Sequence, residues 1–538
     1  MRINISNIIS PIQIVLISLF IFVISFLIFK SVHVKSIQSK SNDNHLFLDS
    51  NYLENFISKQ DSIIKYHSEY FDFYTQRNFK FAWFDTNGMT LQAHNFYNLQ
   101  NELITNLDDS SIYNTQLQYL YERLLENIDS KKGIKDSITK KVELLLTGQY
   151  FRYATKTYHG SELNASQLGW YIPRKKLNII EILDSLVDGR GTNTKREEPI
   201  NRQYRLLEKQ LAKYQNLQNN FKWDSIKVNC TYKIGDSSSV LPIIKNRLFL
   251  LGDYKELDTS IQFNPSMVLA VKNFQHRFGL PETGKIGSLT TKKLNISLQK
   301  LITKILINME RARWMPSDTS MKDRIVVNIP EYKLRVYDSG KYSFSMPVIV
   351  GTEAHNTVIF SENIRYIVFS PYWNVPTSIT KNEVMPAMNR NRNYLTKHNM
   401  EVVKYNGQIP EIRQKPGLNN ALGKVKFLFP NKYNIYLHDT PNKDAFLNSK
   451  RSFSHGCIRI GNPSGLAKFL LRRQPIYTAD SILSLMNQTK EIWVDAKPHV
   501  QVIIKYFTAW VDVSGTINFR EDIYGLDKKM QEKLIDIN

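Results

Sequence analysis

Cysteine is almost absent from this 538-residue chain, which contains only Cys230 and Cys457. Two cysteines in a chain of this size exclude a disulfide framework, and no zinc-type spacing is present. Acidic residues are also scarce, because 49 Asp and Glu face 71 Lys and Arg, for a formal charge of +22. This balance suits anionic lipid or an acidic polymer, or reflects only a low acidic content. Nucleic acid is not expected as a partner, because the basic residues are dispersed and form no arginine-rich block.

Charged residues are missing from Ile14 to Phe29, and extending this segment back to Ile8 gives 22 residues. As a helix it would measure about 33 Å, enough to span a bilayer. Neither a small-residue cleavage site nor a cysteine follows, so residues 1–30 are predicted to be an uncleaved membrane anchor. One arginine precedes the segment and three lysines follow it, a count that favours an outside N-terminus.

The length predicts two to four domains, since one hydrophobic core does not serve 538 residues. Residues 31–60 are polar and are interpreted as a stalk, and residues 61–230 are predicted to form a helical scaffold. Residues 231–300 are predicted to form a small three-helix module. From Arg324 onward, alternating segments and tight turns predict a β-sandwich or small barrel within residues 301–538. The expected fold is therefore α+β and multidomain.

The small module carries several short motifs. Gly235-Asp236 precedes its first predicted helix, the second helix contains Ala270–Gln275 (AVKNFQ), and a glycine-rich turn spans 284–287. Over some 65 residues this pattern resembles the common peptidoglycan-binding domain. The resemblance implies the fold of that family. Binding of glycan and a purely structural role remain equally open.

The candidate chemistry lies within residues 433–471. Cys457 follows Gly456 at the start of a predicted strand, and His438 lies 19 residues earlier at the end of another. Cysteine acyl transfer requires a thiolate, a base, a group that orients the base and donors for the oxyanion. A thiol with a pKa of about 8.5 is mostly protonated at neutral pH, so a neighbouring imidazole is needed. His438 and His455 are both candidates. Spacing alone also permits an inert buried cysteine or, with Asp439, a metal site.

Residues 454–459 (SHGCIR) match the signature of the L,D-transpeptidase (YkuD-type) catalytic domain, and His438 stands where that family keeps its base. Segments 370–379, 436–441 and 506–525 resemble its large membrane-anchored, carbapenem-sensitive branch. The resemblance implies peptidoglycan stem peptides as donor and acceptor, with no cofactor and no metal. It also implies a single-pass inner-membrane protein with its body in the periplasm, which overrides the charge count around the anchor.

The resemblance assigns roles to individual residues. Cys457 attacks the donor carbonyl, His438 is the base, and the backbone carbonyl of Asp439 orients it. The backbone N–H groups of Gly456 and Cys457, with Tyr436, are expected to form the oxyanion hole.

Four more residues are candidates for substrate binding. His455 is expected to be a wall of the site, and Arg459 either binds a carboxylate or anchors the loop. Tyr372 and Trp373 either line the donor groove or pack in a core. Residues 381–431 exceed what a hairpin needs and are interpreted as a mobile cap.

Other functions use the same residues. Hydrolysis of the acyl-enzyme, or attachment or release of a wall-linked protein, differs from cross-linking only in the acyl acceptor. A non-catalytic peptidoglycan-binding protein is the remaining alternative. Cys230 lies in an alternating segment and is predicted to be a buried, inert strand residue that does not pair with Cys457.

Overall fold

The computed structural model describes residues 46–107, 110–129, 136–160, 163–173, 177–188, 200–316 and 322–535. The predicted anchor at 1–30 lies outside these ranges. Among the described residues, no helix combines the length and the apolar character needed to cross a bilayer. The N-terminal region is helical and the C-terminal region is rich in strands, as the sequence predicts.

Amphipathic helices build the N-terminal region: Ser50–Ile57, His67–Gln76, Leu91–Leu107, Thr115–Asp129, Asp136–Ala154, Ile179–Val187 and Arg202–Asn220. A short hairpin of β1 (Phe84–Asp85) and β2 (Gly88–Met89) lies between the second and third of these helices. The apolar positions of the last helix are fully buried, as their spacing predicts: Tyr204, Leu207, Leu211 and Tyr214.

The stalk prediction is wrong for Ser50–Ile57, which is a folded helix. The Asp49 carboxylate accepts the N–H of Asn51 at 2.7 Å and begins this helix. Leu53, Phe56 and Ile57 share one face and are buried against the scaffold. A polar composition concealed this short apolar stripe.

Three helices form the small module: Leu241–Leu251, Pro265–Arg277 and Ser288–Leu294. Inside it, the Arg277 guanidinium donates to both carboxylate oxygens of Asp253, at 2.6 and 2.5 Å. Arg520, from the C-terminal segment, donates to the backbone carbonyl of Arg277 at 2.9 Å. The next helix, Leu298–Arg313, packs along Arg202–Asn220, so the module is braced against both neighbouring regions.

Cys230 lies in a bend and is exposed, so the prediction of a buried strand position is wrong. The alternating pattern around it finds no partner strand, and only Tyr232 makes an isolated bridge, to Ile286. Cys230 and Cys457 are both free thiols.

The C-terminal region is a closed sheet. Its strands are β3 (Arg324–Asn328), β4 (Lys333–Asp338), β5 (Lys341–Gly351), β6 (Ser361–Phe369), β10 (Val425–Leu428), β11 (Leu437–His438), β12 (Ser452–Ser454), β13 (Ile458–Ile460) and β14 (Ile492–Lys505), numbered together with the cap strands β7–β9 below. Their order is β12-β5-β13-β11-β10-β6-β14-β3-β4, and β4 pairs in turn with β5. The sheet therefore closes on itself around the apolar core, like a barrel, and its closed part leaves no unpaired strand edge.

Strand β5 has different partners on its two edges. Strand β13 pairs on one edge, whereas β4 and then β12 pair on the other. Residues 455–457, which join β12 to β13, must therefore cross the end of β5. A methyl group added to Gly351, the last residue of β5, would overlap the carbonyl oxygen of His355 and lie 3.1 Å from the Cα of Gly456, so this position requires glycine.

A separate three-stranded sheet forms the cap, in the order β7 (Trp373–Asn374), β9 (Ile409–Gln414), β8 (Met400–Asn406). Short helices complete it: Thr377–Ile379, Met385–Arg390 and Tyr394–Lys397. The observed cap begins before the predicted range of 381–431 and ends earlier, because β10 belongs to the main sheet.

Helix Pro463–Leu471 follows β13 and packs on β14. The Asn462 side chain accepts the N–H of Gly465 at 2.9 Å, and Leu466 and Leu470 are buried. Helices Ala479–Leu485 and Leu526–Ile535, and a hairpin of β15 (Ala509–Val511) and β16 (Ile517–Phe519), complete the described chain.

Candidate active site

Two short parallel strands place the candidate residues together. Leu437 pairs with Ile458 and His438 with Arg459, and the Ile458 N–H donates to the Tyr436 carbonyl at 3.1 Å. Side chains alternate along a strand, so Leu437 and Ile458 enter the core, where both are fully buried. The opposite face presents Tyr436, His438, Cys457 and Arg459 as one cluster.

His438 is buried, with 5% of its surface exposed. Its Nδ1 lies 2.6 Å from the carbonyl oxygen of Asp439. A carbonyl oxygen only accepts, so Nδ1 carries the proton and Nε2 keeps its lone pair in the neutral ring. Burial lowers the pKa of His438 to about 4, with a further contribution from the charge of Arg459. The imidazole is thus neutral at pH 7 and able to accept a proton.

Cys457 is half-buried, and its thiol donates to the carbonyl oxygen of Asn434 at 3.5 Å. Burial raises the pKa of the thiol, against the opposing effects of hydrogen bonds from Tyr436 and the charge of Arg459. The thiol is therefore protonated at neutral pH and would need to turn from Asn434 toward a base. Burial also raises the pKa of the Tyr436 phenol, which stays protonated and can donate.

Ser454 organises the loop that carries Cys457. Its hydroxyl donates to the carbonyl oxygen of Cys457 at 2.5 Å and accepts the N–H of Gly456 at 3.2 Å. The Gly456 N–H is therefore engaged and does not point freely to an oxyanion, contrary to the role predicted for it. Gly456 has φ 109°, which few residues other than glycine adopt.

This geometry coincides with a family match: residues 322–478 match the L,D-transpeptidase catalytic domain (YkuD). The chain contains an L,D-transpeptidase catalytic domain. Residues 241–294 match a putative peptidoglycan-binding domain, and residues 68–211 match a scaffold domain. The transpeptidase domain thus covers most of the closed sheet and the whole cap.

A putative L,D-transpeptidase of Haemophilus influenzae is 31% identical over 265 residues, covering 46% of this chain and 52% of that protein. The chain spans about half the length of this relative. Among solved structures, the L,D-transpeptidase of Stackebrandtia nassauensis is 14% identical at a TM-score of 0.22, covering 51% of this chain and 94% of its own. That of Mycobacterium smegmatis is 11% identical at a TM-score of 0.19, covering 34% and 58%.

Arg459 of the transpeptidase domain lines a groove of about 530 Å³ together with Asn442, Asp444, Ala445, Leu447, Asn448 and Phe453. Its Nε is buried and finds no hydrogen-bond partner among the described residues. Burial lowers the pKa of Arg459, although a guanidinium remains charged at any working pH. A charged fork beside an open groove is suited to a carboxylate.

His455 lies beside His355 and the cap residue Glu383. Its side chain is about half exposed, and its Nε2 lies 3.7 Å from the Glu383 carboxylate of the cap. The ring centroids of His455 and His355 are 5.2 Å apart. This position agrees with a wall of the site. In the described part of the chain, no group of three His, Cys, Asp or Glu side chains is arranged to hold a metal.

Tyr372 and Trp373 belong to the cap. Trp373 packs against the small cap core, and the Arg413 guanidinium stacks over the Tyr372 ring at 4.4 Å. These side-chain contacts lie within the cap, which matches the packing alternative more closely than the groove alternative, and the Tyr372 N–H donates to the Glu491 carboxylate beside β14 at 3.3 Å.

The Asp439 carboxylate does not reach His438. It accepts the N–H groups of Lys424 and Thr440, at 2.9 and 2.7 Å, and pairs with Lys443. It thereby fixes the backbone whose carbonyl oxygen holds the imidazole. Sequence reasoning missed two parts of the site, Ser454 and the Asn434 carbonyl. Ser454 stands within the signature, so its position was a usable signal, whereas nothing in the sequence marks Asn434.

Proposed function

We propose that this protein is a cysteine L,D-transpeptidase that cross-links peptidoglycan stem peptides through a Cys457 acyl-enzyme. The supporting observation is the single-face cluster of Cys457, His438, Tyr436 and Arg459 on β11 and β13. The peptidoglycan-binding match at 241–294 favours the same substrate.

The first half-reaction forms the thioester. Cys457 Sγ attacks the carbonyl carbon of the third stem-peptide residue, while the thiol proton passes to His438 Nε2. The Cys457 N–H and the Tyr436 hydroxyl donate to the resulting oxyanion. Each such donor is typically worth about 3 kcal/mol in the transition state.

Collapse of the tetrahedral intermediate completes the thioester and breaks the bond to D-alanine, whose amine leaves with the proton held by His438. The second half-reaction releases the acyl group. An acceptor amine then attacks the thioester carbonyl, loses its proton to His438 and frees Cys457. The burial-lowered pKa favours the acid role, because the protonated imidazole gives up its proton readily, and it makes the neutral ring a weaker base toward the thiol.

Arg459 binds a stem-peptide carboxylate from the adjoining groove. Its place in the lining of this groove supports this role. The body of the protein acts in the periplasm, tethered by Ile8–Phe29, because peptidoglycan stem peptides lie on that side of the membrane.

The test is product analysis with purified protein and disaccharide-tetrapeptide donors. Mass spectrometry should find cross-linked muropeptide and free D-alanine with the wild-type protein and neither with Cys457→Ala. Release of D-alanine with only hydrolysed tripeptide would replace cross-linking by hydrolysis. A Cys457→Ala protein that still cross-links would refute the proposed nucleophile.

A further inference from the structure

A buried threonine lies directly behind the nucleophile loop. Thr357, between β5 and β6, is 1% exposed. Its hydroxyl donates to the carbonyl oxygen of Gly456 at 2.7 Å and accepts the N–H of Gly351 at 2.9 Å. A hydroxyl has one proton, so these two bonds together fix its orientation.

The carbonyl held by Thr357 belongs to the same peptide unit as the N–H of Cys457. In a planar trans peptide the C=O and N–H bonds point in opposite directions. Because the Gly456 oxygen is turned inward to Thr357, the Cys457 N–H must point outward, away from the buried hydroxyl. Among the described residues this N–H has no acceptor, whereas the Gly456 N–H is already bound to Ser454.

Glycine makes this peptide plane dependent on an external anchor. Gly456 has φ 109° and no side chain within the loop to resist rotation. A flip of the Gly456–Cys457 peptide would present a carbonyl oxygen where an oxyanion must bind. The Thr357 hydroxyl opposes that flip, since the flipped oxygen would lose its buried donor.

We propose that Thr357 is a positioning residue that aims the Cys457 N–H at the oxyanion, with Tyr524 as its support. This inference rests on the proposed function and deepens it. Neither residue touches the reacting atoms, so both act through the Gly456–Cys457 peptide.

Tyr524 holds the backbone of both Thr357 and Gly351. Its hydroxyl accepts the Thr357 N–H at 3.3 Å and donates to the Gly351 carbonyl at 2.8 Å. The Tyr524 N–H donates to the Tyr506 hydroxyl at 3.0 Å, and that hydroxyl donates to Asp522 at 2.7 Å. Segment 506–525, whose role the sequence leaves undefined, thus reaches the nucleophile loop through buried hydrogen bonds.

The experiment compares two reactions at one sulfur, in a Cys230→Ala background that removes the exposed second thiol. A carbapenem acylates Cys457 through an oxyanion, forming the Sγ–C bond as the lactam C–N bond breaks. Iodoacetamide alkylates the same sulfur by displacing iodide, with no oxyanion. Full-length Thr357→Val should slow acylation about tenfold to a hundredfold, below the loss of a whole oxyanion donor. Alkylation should change by less than about twofold, because oxyanion stabilisation is not involved.

Two further variants complete the test. Thr357→Ser keeps the hydroxyl and should restore acylation to within about threefold of the parent, as a hydrogen-bonding role requires. Tyr524→Phe should slow acylation by about threefold to tenfold and spare alkylation, since the hydroxyl it removes acts at one remove. If circular dichroism shows that Thr357→Val does not fold, the acylation and alkylation rates of Tyr524→Phe decide whether the proposal holds.

Acylation at the parent rate in the deciding variant would overturn the inference, as would an equal loss of both reactions. A parent protein acylated by neither a carbapenem nor a stem peptide would instead refute the proposed function, and the inference with it. If the parent is acylated normally, any change in the variants is due to the loss of the Thr357 or Tyr524 hydroxyl.

Discussion

The two walls of the active site are built in opposite ways. The nucleophile loop has its polar backbone atoms held by Ser454 and Thr357, above the core of a closed sheet. Among the described residues of the cap, one small hydrophobic cluster forms around the buried side chains of Val375, Val384 and Ile412. Its Glu383 approaches His455 of the loop through an exposed pair at 3.7 Å, a contact of little energetic weight.

This difference separates two tasks. Catalytic groups must be held to within a fraction of an ångström, so they belong on the rigid wall. A wall that admits a polymeric substrate must open, and a small core with exposed contacts opens at low cost. We therefore expect substitutions in the loop to change turnover and substitutions in the cap to change substrate access.

The largest effect is expected for Cys457→Ala, which should abolish transpeptidation and carbapenem acylation because the attacking sulfur is gone. The melting temperature should stay within a few degrees of the parent's, since a half-buried thiol contributes little packing. Intact-mass analysis and thermal unfolding measure both effects. Cys230→Ala is the matched control and should retain full activity, and a carbapenem adduct on Cys230 would contradict the assignment.

The next effect distinguishes the two histidines. His438→Ala should lower kcat by about 10²–10⁴-fold, the usual contribution of a general base. His455→Ala should cost far less, because His455 faces the cap and Glu383 rather than the reacting centre. Steady-state kinetics on stem peptides compares them directly. A greater loss at His455 would reverse the assignment and make the cap side a participant in the chemistry.

The buried base should also set the pH dependence. Because the pKa of His438 is lowered to about 4, the ring is neutral above that value and activity should persist well below pH 6. Activity should fall only as the pH approaches the range in which His438 becomes protonated. The acylation rate against pH measures this. An acid limb near the ordinary histidine value would show that the base is solvated when substrate binds.

A smaller effect is expected in the cap. Ile412→Ala truncates one of the three buried side chains of the hydrophobic cluster in the cap, a change that typically costs about 2–5 kcal/mol in a core. We expect faster proteolysis within residues 385–406 and a higher KM, with kcat nearly unchanged. Leu418→Ala, at an exposed position, is the control. A kcat loss as large as that of a loop variant would remove the distinction between the walls.

The smallest effect on chemistry is expected from deleting residues 1–30, because every residue given a role at the site lies C-terminal to residue 350. Turnover of soluble stem peptides should stay at the parent level. In cells, a reporter fused after Asn538 should be active only outside the cytoplasm. Reporter activity confined to the cytoplasm would overturn the proposed location and, with it, access to peptidoglycan.

Sequence patterns anticipated the parts of this molecule that depend on local spacing. The helical stripe ending at Tyr214, the strands after Arg324 and the Cys457 signature all follow from residues close together in the chain. The Gly456 N–H was wrongly predicted to be an oxyanion donor, because the direction of the Ser454 hydroxyl, which accepts this N–H, cannot be read from the sequence. Thr357 and Tyr524 could not be identified from the sequence, since Thr357 bonds Gly456, 99 residues away, and Tyr524 bonds Gly351, 173 residues away.

The position of β14 has a consequence for the order of synthesis. This strand, near the end of the chain, pairs with β6 on one side and with the first strand of the sheet, β3, on the other. The ribosome therefore releases every earlier strand before the piece that joins them exists. Such late, long-range pairing is slow, and unpaired strand edges are prone to aggregate. A nascent chain that halts before residue 492 already contains Cys457, but it lacks β14 and cannot close the sheet that positions this residue.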